Sequence, residues 1–194
     1  MLGLKSLGNY GLFFIDAHAD FYEPERSVTG EVADMDLAFV TGRGPELLTN
    51  IDGSIPYVMD ENVVHIGQRD MEETEKYNSQ EIRSTGITRF DLKYIQHHGV
   101  QKTMKEIENY FLSLDGFWIH FDTDVIDDNS NPAVDYRLQV GLSFNQCAEI
   151  LKNLLSSYPI LGMSVTIFNP TLDVDGKIAR QLTTLLSDCL TKTE

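Results

Sequence analysis

Short runs of apolar residues alternate along this chain with longer stretches whose apolar positions recur every three or four residues. The short runs predict strands and the periodic stretches predict helices. The predicted strands span residues 12–15, 62–66, 87–90, 117–121 and 160–168. The predicted helices span residues 2–7, 34–41, 70–83, 100–112, 143–156 and 175–190. Asp34 is expected to cap the second helix, and Asp173 and Asp175 the last. The alternation indicates an α/β fold with a parallel sheet covered on both sides.

Two of the predicted strands are followed at once by aspartate-rich segments. Asp16, His18 and Asp20 follow the first strand, and Asp122 and Asp124 follow the fourth. Alternate residues of an extended chain point the same way, and ligands bind beyond the carboxyl ends of parallel strands, so these side chains are expected to converge. They would repel one another without cations among them, and carboxylates with few imidazoles suit Mn²⁺ or Mg²⁺ better than structural zinc. The pattern predicts a two-metal hydrolytic site, with solvated strand-end aspartates as the alternative.

Composition narrows the class of protein further. The 194 residues fit one domain, and a formal net charge of −15 disfavours nucleic acid or an anionic membrane as partner. Cys147 and Cys189 lack the spacing of a metal site and are expected to be reduced core thiols, as in a cytoplasmic protein. No apolar run reaches the ~20 residues that a membrane span needs, and the first residues do not have the pattern of a signal peptide.

Five segments, in order along nearly the whole chain, resemble the ureohydrolase family, which comprises arginase, agmatinase and formiminoglutamase. Two of them are the aspartate-rich segments, and a third is similar to the family's Ile-Gly-x-Arg-Asp strand end. The last two are similar to its Gly-Gly-Leu-Ser/Thr and Asn-Pro-x-x-Asp motifs. The segments are Asp-Ala-His-Ala-Asp at 16–20, Val-His-Ile-Gly-Gln-Arg-Asp at 64–70, His-Phe-Asp-Thr-Asp-Val-Ile-Asp at 120–127, Val-Gly-Leu-Ser at 140–143 and Phe-Asn-Pro-Thr-Leu-Asp at 168–173.

The resemblance implies a three-layer α/β/α sandwich with a mainly parallel sheet that lacks the family's first strands. Residues 1–194 would form a single domain, the C-terminal two-thirds of the family fold, in a chain truncated at its N-terminus. The family's members are often trimers or hexamers, so a homo-oligomer is expected. The substrate implied is a small molecule of the amidine or guanidino type, with a C–N bond that is hydrolysed.

The resemblance also implies a role for each acidic residue. Asp16 and Asp122 would bridge two Mn²⁺ ions, His18 and Asp124 would complete the shell of one ion, and Asp20 would bind the other. A hydroxide shared by both ions would attack the amidine carbon. Asp127 would orient neighbouring groups or act in proton transfer, with the alternative that it only caps its loop.

Three departures from the family pattern weaken the inference of activity. The family's upstream Gly-Gly-Asp-His/Cys segment, which supplies a metal ligand, has no counterpart here, so the second ion is expected to bind weakly. Ala33 stands where arginases carry a histidine proton shuttle, and Glu31, Asp34 and Asp36 are the candidate substitutes. Ile167 stands where a glutamate grips the guanidinium group, which argues against arginine or agmatine as the substrate.

Other polar residues have a structural and a functional interpretation. His65 and His120 are expected to be packed core histidines, with a supporting role beside Asp122 as the alternative for His120. His97 and His98 are expected in a surface loop, because adjacent residues do not face one site. Glu72 is expected on a solvated helix face, with binding of a substrate amine as the alternative.

The sequence therefore supports several hypotheses. The leading one is a Mn²⁺-dependent hydrolase of a linear amidine. The alternative is a non-catalytic, metal-binding member of the family, or an assembly partner of a full-length paralogue. A metal-dependent deacetylase of the same overall fold is less favoured, because such enzymes lack this pairing of aspartate segments.

Overall fold

A five-stranded, fully parallel sheet forms the centre of the computed structural model, which describes residues 1–108 and 113–191. Its strands are β1 Tyr10–Ile15, β2 Val63–Ile66, β3 Thr88–Phe90, β4 Gly116–Asp122 and β5 Ile160–Thr166. The spatial order is β3-β2-β1-β4-β5, so the first strand lies in the middle. Among the described residues β5 pairs only with β4, so β5 is an edge strand of the sheet.

The central strands are apolar on both faces, as a sheet covered on both sides requires. In β1, Phe13 and Ile15 face one core while Leu12 and Phe14 face the other, and all four are buried. The ring of Phe13 stacks on that of Phe117 of β4, with centroids 4.7 Å apart. This double burial fixes β1 at the centre of the sheet.

Eight α-helices are described around the sheet. Their bounds are α1 Leu2–Lys5, α2 Asp36–Val40, α3 Glu46–Thr49, α4 Met71–Lys76, α5 Leu92–His98, α6 Val100–Ile107, α7 Phe144–Ser157 and α8 Lys177–Leu190. Helices α5 to α8 bury their apolar sides on one face of the sheet, and α2 with the segment after β1 covers the other. The predicted three-layer α/β/α arrangement is confirmed.

Most of the predicted elements are present, and Asp173 and Asp175 bind the start of the last helix as predicted. Ser143 caps α7 through a reciprocal pair of hydrogen bonds with Gln146. Asp173 accepts hydrogen bonds from the backbone N–H groups of Ile178 and Ala179 at the start of α8, and Asp175 accepts one from Lys177. The predicted helix 100–112 extends into residues 109–112, which lie outside the described part of the chain.

Several local predictions were wrong. The helix predicted over 70–83 ends at Lys76, and Asn78 adopts a left-handed φ of 52° that no helix continues. Asp34 does not cap α2, because its carboxylate accepts hydrogen bonds from the hydroxyls of Ser27 and Thr29 instead.

The surface loop predicted around His97 and His98 is the last turn of α5. Asp91 caps this helix through the N–H of Tyr94, and Leu92 and Ile95 bury one side of it. Seven residues are too few for a clear helical period, which is why the pattern did not predict it. The short helix α3 was missed for the same reason.

The two cysteines are free and buried, as expected. None of the helices described in residues 1–108 and 113–191 is long and apolar enough to cross a membrane.

Candidate metal centre

The two aspartate-rich segments meet at the carboxyl ends of β1 and β4, which are neighbours at the middle of the sheet. Ile15 pairs with Phe121, so Asp16 and Asp122, the next residues along each strand, emerge side by side. Both are buried, at 1% and 4% exposure. The predicted convergence of the segments is therefore present.

Backbone hydrogen bonds hold the first segment in shape. Asp16 Oδ1 accepts the N–H of His18 at 2.7 Å, and Asp70 Oδ2 accepts the N–H of Ala19 at 3.0 Å. The imidazole Nε2 of His65, buried in the sheet, lies 2.7 Å from the carbonyl oxygen of His18. Burial lowers the pKa of His65 to about 3, so the neutral ring donates to that carbonyl. The predicted structural role of His65 is consistent with this contact.

The second segment is a turn of 3₁₀ helix, Thr123–Val125, closed by the N–H of Asp124 donating to Asp122 Oδ1 at 2.9 Å. The guanidinium of Arg69 lies behind it and donates to the carbonyl oxygens of Asp124 at 2.7 Å and Val125 at 3.1 Å. The backbone N–H of Arg69 donates to Ala17 O at 2.8 Å. One residue thus ties both segments together.

Gly67 allows β2 to pass close beneath both segments. Its φ is 105°, and a Cβ atom there would lie 2.5 Å from Val125 Cγ2 and 3.1 Å from Asp16 O. Only glycine adopts this conformation without strain and leaves that space open.

Two groups of three side chains could each hold a metal ion, and Asp16 belongs to both. In the first group, His18 Nδ1 lies 3.0 Å from Asp124 Oδ2 and 3.6 Å from Asp16 Oδ1. In the second, His120 Nε2 lies 3.8 Å from Asp16 Oδ2, and Asp122 provides the third atom. Within each group the ligand atoms lie within 4.8 Å of one another. The Asp16 carboxylate thus directs one oxygen toward each group.

The chemistry of this donor set fits a cation. Asp16 Oδ2 is buried and accepts no hydrogen bond from any residue in the described ranges, so a buried oxygen lacks a positive partner. Burial and the charge of Asp124 raise the pKa of Asp16 to about 6. Burial and the charge of Asp16 also raise the pKa values of Asp20 and Asp122 well above the usual range. A divalent ion would remove this repulsion.

The two imidazoles differ in protonation. Burial alone would lower the pKa of His18, but hydrogen bonds to Asp124 and Asp16 raise it well above its ordinary value. Burial lowers the pKa of His120 to about 4, so this ring is neutral near pH 7.

Not every predicted site residue joins these groups. Asp20 lines the same cavity but lies outside both groups. Asp127 is half-buried and its Oδ1 accepts hydrogen bonds from the backbone and side chain of Asn129. This is the contact expected of a loop cap, and the predicted roles of Asp20 and Asp127 stay predictions.

A cavity of about 240 Å³ opens above the centre and is lined by Asp20, Asp122, Asp124 and His18. Ala33 and Ile167, two of the three departures from the family pattern, both lie in its wall. Further lining residues were not predicted from sequence: Tyr22, Asp70, Glu73, Asp135, Tyr136 and Arg137. Glu72 is exposed on α4, as its solvated interpretation expected, and its neighbour Glu73 reaches the cavity.

Fold and site together define an α/β protein with a cluster of carboxylates and imidazoles, able to hold a metal ion, at the carboxyl edge of a parallel sheet. A model described as the Arginase family matches residues 3–191, and the chain belongs to that family. It is 30% identical over 184 residues to an arginase of Staphylococcus aureus (94% of this chain, 59% of that protein), and 31% identical over 189 residues to an arginase of Bacillus subtilis (97% and 62%). The solved arginase structure from Bacillus subtilis superposes with a TM-score of 0.88 at 30% identity, covering 98% of this chain and 67% of that one. The chain thus spans about 60% of the length of these curated relatives.

Proposed function

We propose that this chain carries the binuclear Mn²⁺ centre of a hydrolase that cleaves a C–N bond in a linear amidine or guanidino compound. The observation that carries the proposal is the placement of Asp16, whose two oxygens face two separate ligand groups. The oxygen- and nitrogen-only donor set favours a hard ion such as Mn²⁺. When bound, two such ions would acidify a shared water and stabilise the charge that develops at the attacked carbon.

The chain's own residues would hold and orient the components of this reaction. Asp16, His18, Asp122 and Asp124 would bind one ion, and Asp16, Asp20 and Asp122 would bind the other. Thr166 donates its hydroxyl hydrogen to Asp122 Oδ2 at 2.9 Å and so fixes the orientation of that carboxylate. Asp127 would act beside the centre, either orienting neighbouring groups or moving a proton.

The cavity wall limits the choice of substrate. Ile167 presents an apolar side chain where a guanidinium group would need a carboxylate, and a cation held there without a partner would be costly. Glu73 and Asp135 in the same wall could accept hydrogen bonds from an amino group elsewhere on the substrate. A less basic amidine therefore fits this cavity better than a guanidinium compound.

A second candidate function is a non-catalytic, metal-binding role within an oligomer. The observation that favours it is that Ala33 and Ile167 both line the cavity, so neither a histidine shuttle nor a guanidinium anchor is present at those positions. Loss of a general acid typically lowers a rate by about 10²–10⁴-fold.

The two candidates are separated by a turnover assay on the Mn²⁺-loaded protein. Release of ammonia or urea from a panel of linear amidines and guanidines is measured beside the variant Asp124→Asn. Turnover that Asp124→Asn abolishes supports the hydrolase. If the protein binds two ions per chain and yet turns over no compound faster than Asp124→Asn does, the hydrolase proposal fails and the metal-binding role remains.

A further inference from the structure

The imidazole of His120 faces the carboxylates of Asp16 and Asp122 at the end of β4. His120 lies two residues before Asp122 on β4, so both side chains project from the same face of the sheet. Its side chain is 13% exposed, and it lies at the carboxyl end of the strand.

The ring is held with one nitrogen toward the carboxylates. It stacks on Phe14 at a centroid distance of 4.5 Å and an interplanar angle of 7°. Its Nδ1 lies 3.2 Å from Ser164 Oγ on β5, while its Nε2 lies 3.8 Å from Asp16 Oδ2. The tautomer with hydrogen on Nδ1 donates to Ser164 and leaves the Nε2 lone pair facing Asp16 and Asp122. Metal-bound histidines commonly donate their other N–H to a neighbouring acceptor in this way.

In the tautomer with hydrogen on Nδ1, the neighbouring hydroxyl does not satisfy Nε2. Thr166 Oγ1 lies 3.4 Å from Nε2, but its hydrogen is donated to Asp122 Oδ2 at 2.9 Å. The facing oxygen, Asp16 Oδ2, is the buried atom that accepts no hydrogen bond from the described residues. A lone pair and an orphaned carboxylate oxygen therefore face the same small space, where a cation would satisfy both.

We propose that His120 is the imidazole ligand of the second metal ion, and this inference rests on the two-ion centre of the proposed function. His120 would then join Asp16 and Asp122, the carboxylates of the second group, and Asp20 at the second ion, so that each ion has one imidazole ligand. The second ion would thus have a nitrogen ligand from within β4.

The test measures bound Mn²⁺ per chain after gel filtration, together with the dissociation constant of each ion. The key variant is His120→Ser, which removes the imidazole, and the matched control is His98→Ser, at a histidine in the last turn of α5. The expected result is two ions for the unaltered protein and for His98→Ser, and one ion for His120→Ser. Ser164→Ala, which leaves every ligand in place, is expected to weaken the second ion about 10–100-fold.

A spectroscopic measurement distinguishes the loss of one histidine ligand from a loss of metal caused by misfolding. In the Co²⁺-loaded protein, each histidine ligand gives a paramagnetically shifted imidazole N–H resonance in the proton NMR spectrum. Two such resonances are expected, with one lost in His120→Ser while that of His18 remains.

The outcomes separate this inference from the proposed function. Two ions in His120→Ser with unchanged affinities would overturn the role of His120 and leave the two-ion centre intact. One ion or none in the unaltered protein would overturn the two-ion centre itself, and the inference with it.

Discussion

Arg69 offers the sharpest test of how the metal segments are held in place. Its guanidinium donates to the carbonyl oxygens of Asp124 at 2.7 Å, Val125 at 3.1 Å and Leu138 at 3.2 Å, with a longer contact to Ile126 at 3.4 Å. Its backbone N–H donates to the first segment. Replacing the side chain with methionine keeps much of its length and apolar surface but removes every donor of the guanidinium.

The expected loss in the free energy of unfolding follows from these hydrogen bonds. Hydrogen bonds that involve a charged group contribute about 1.5–3 kcal/mol each, so the two shorter bonds amount to roughly 3–6 kcal/mol by the same measure. Burial of the guanidinium costs free energy, which also lowers the pKa of Arg69, and this cost offsets part of the stabilisation by the hydrogen bonds. In addition, Arg69 Nε is buried without a hydrogen-bond partner in the described chain. We therefore expect Arg69→Met to lower the free energy of unfolding by about 3 kcal/mol. In a chain of this size that corresponds to a fall in Tm of roughly 6–12 °C.

The assay is urea unfolding in EDTA, followed by Mn²⁺ titration of the folded variant. Arg83→Met is the matched control, because Arg83 forms an exposed ion pair with Glu81, and solvent screens such pairs so that they contribute little to stability. Arg69→Lys should resemble Arg69→Met more than the unaltered protein, since one ammonium cannot reach several carbonyls at once. A loss below about 0.5 kcal/mol in Arg69→Met, or one equal to that of the control, would refute the reasoning.

Four further predictions follow from the same geometry. Because the raised pKa of Asp16 is about 6, Mn²⁺ must displace a proton from its carboxyl group below that pH. The affinity of the protein for Mn²⁺ should therefore fall by up to about tenfold per pH unit below pH 6. An affinity that stays the same from pH 7 to pH 5 would contradict this. In EDTA the raised pKa of Asp16 favours the folded state at low pH, so the stability that this group contributes should be lost as pH rises from about 4 through 6. Mn²⁺ should restore it, and unfolding curves measured at each pH check this sign. Val140 adopts a left-handed φ of 61°, which strains a residue with a Cβ atom, and its side chain is 54% exposed, so little packing is lost on its removal. Val140→Gly should therefore stabilise the protein by about 1 kcal/mol in thermal unfolding. An unchanged or lower Tm would show that the strain is absent. Ile167→Glu should place a carboxylate in the cavity wall and tighten the binding of a guanidinium compound by about 10–100-fold, as measured by calorimetry. If Ile167→Gln bound the compound as tightly as Ile167→Glu does, the charge would not be the cause.

Much of the fold could be predicted because its strands are short, apolar and separated by clear breaks. The runs that became β1 and β4 lie at the sheet's centre, buried on both faces, so their patterns carry little ambiguity. The shorter helices could not be predicted in the same way. Helix α5 depends on one cap and two buried residues, and the end of α4 depends on the left-handed Asn78.

Part of the candidate site could likewise be predicted from the sequence, and part depends on the tertiary structure. Asp16, His18, Asp122 and Asp124 could be predicted, because alternate positions after a strand converge whatever the rest of the chain does. His120 shares that periodicity with Asp122, and this signal was available, but it does not separate a packed ring from a ligand. That distinction depends on Phe14, Ser164 and the orphaned oxygen of Asp16, which only the tertiary structure brings together. The link between segments that Arg69 makes likewise joins residues more than 50 positions apart.

The central claim is that Asp16 lies between two metal ions, and anomalous diffraction from crystals grown with Mn²⁺ tests it most directly. The account predicts two anomalous peaks about 3.5–4 Å apart, one beside Asp16 Oδ1 with His18 and Asp124, the other beside Asp16 Oδ2 with Asp122. A single peak, or two peaks that share no contact with Asp16, would contradict it.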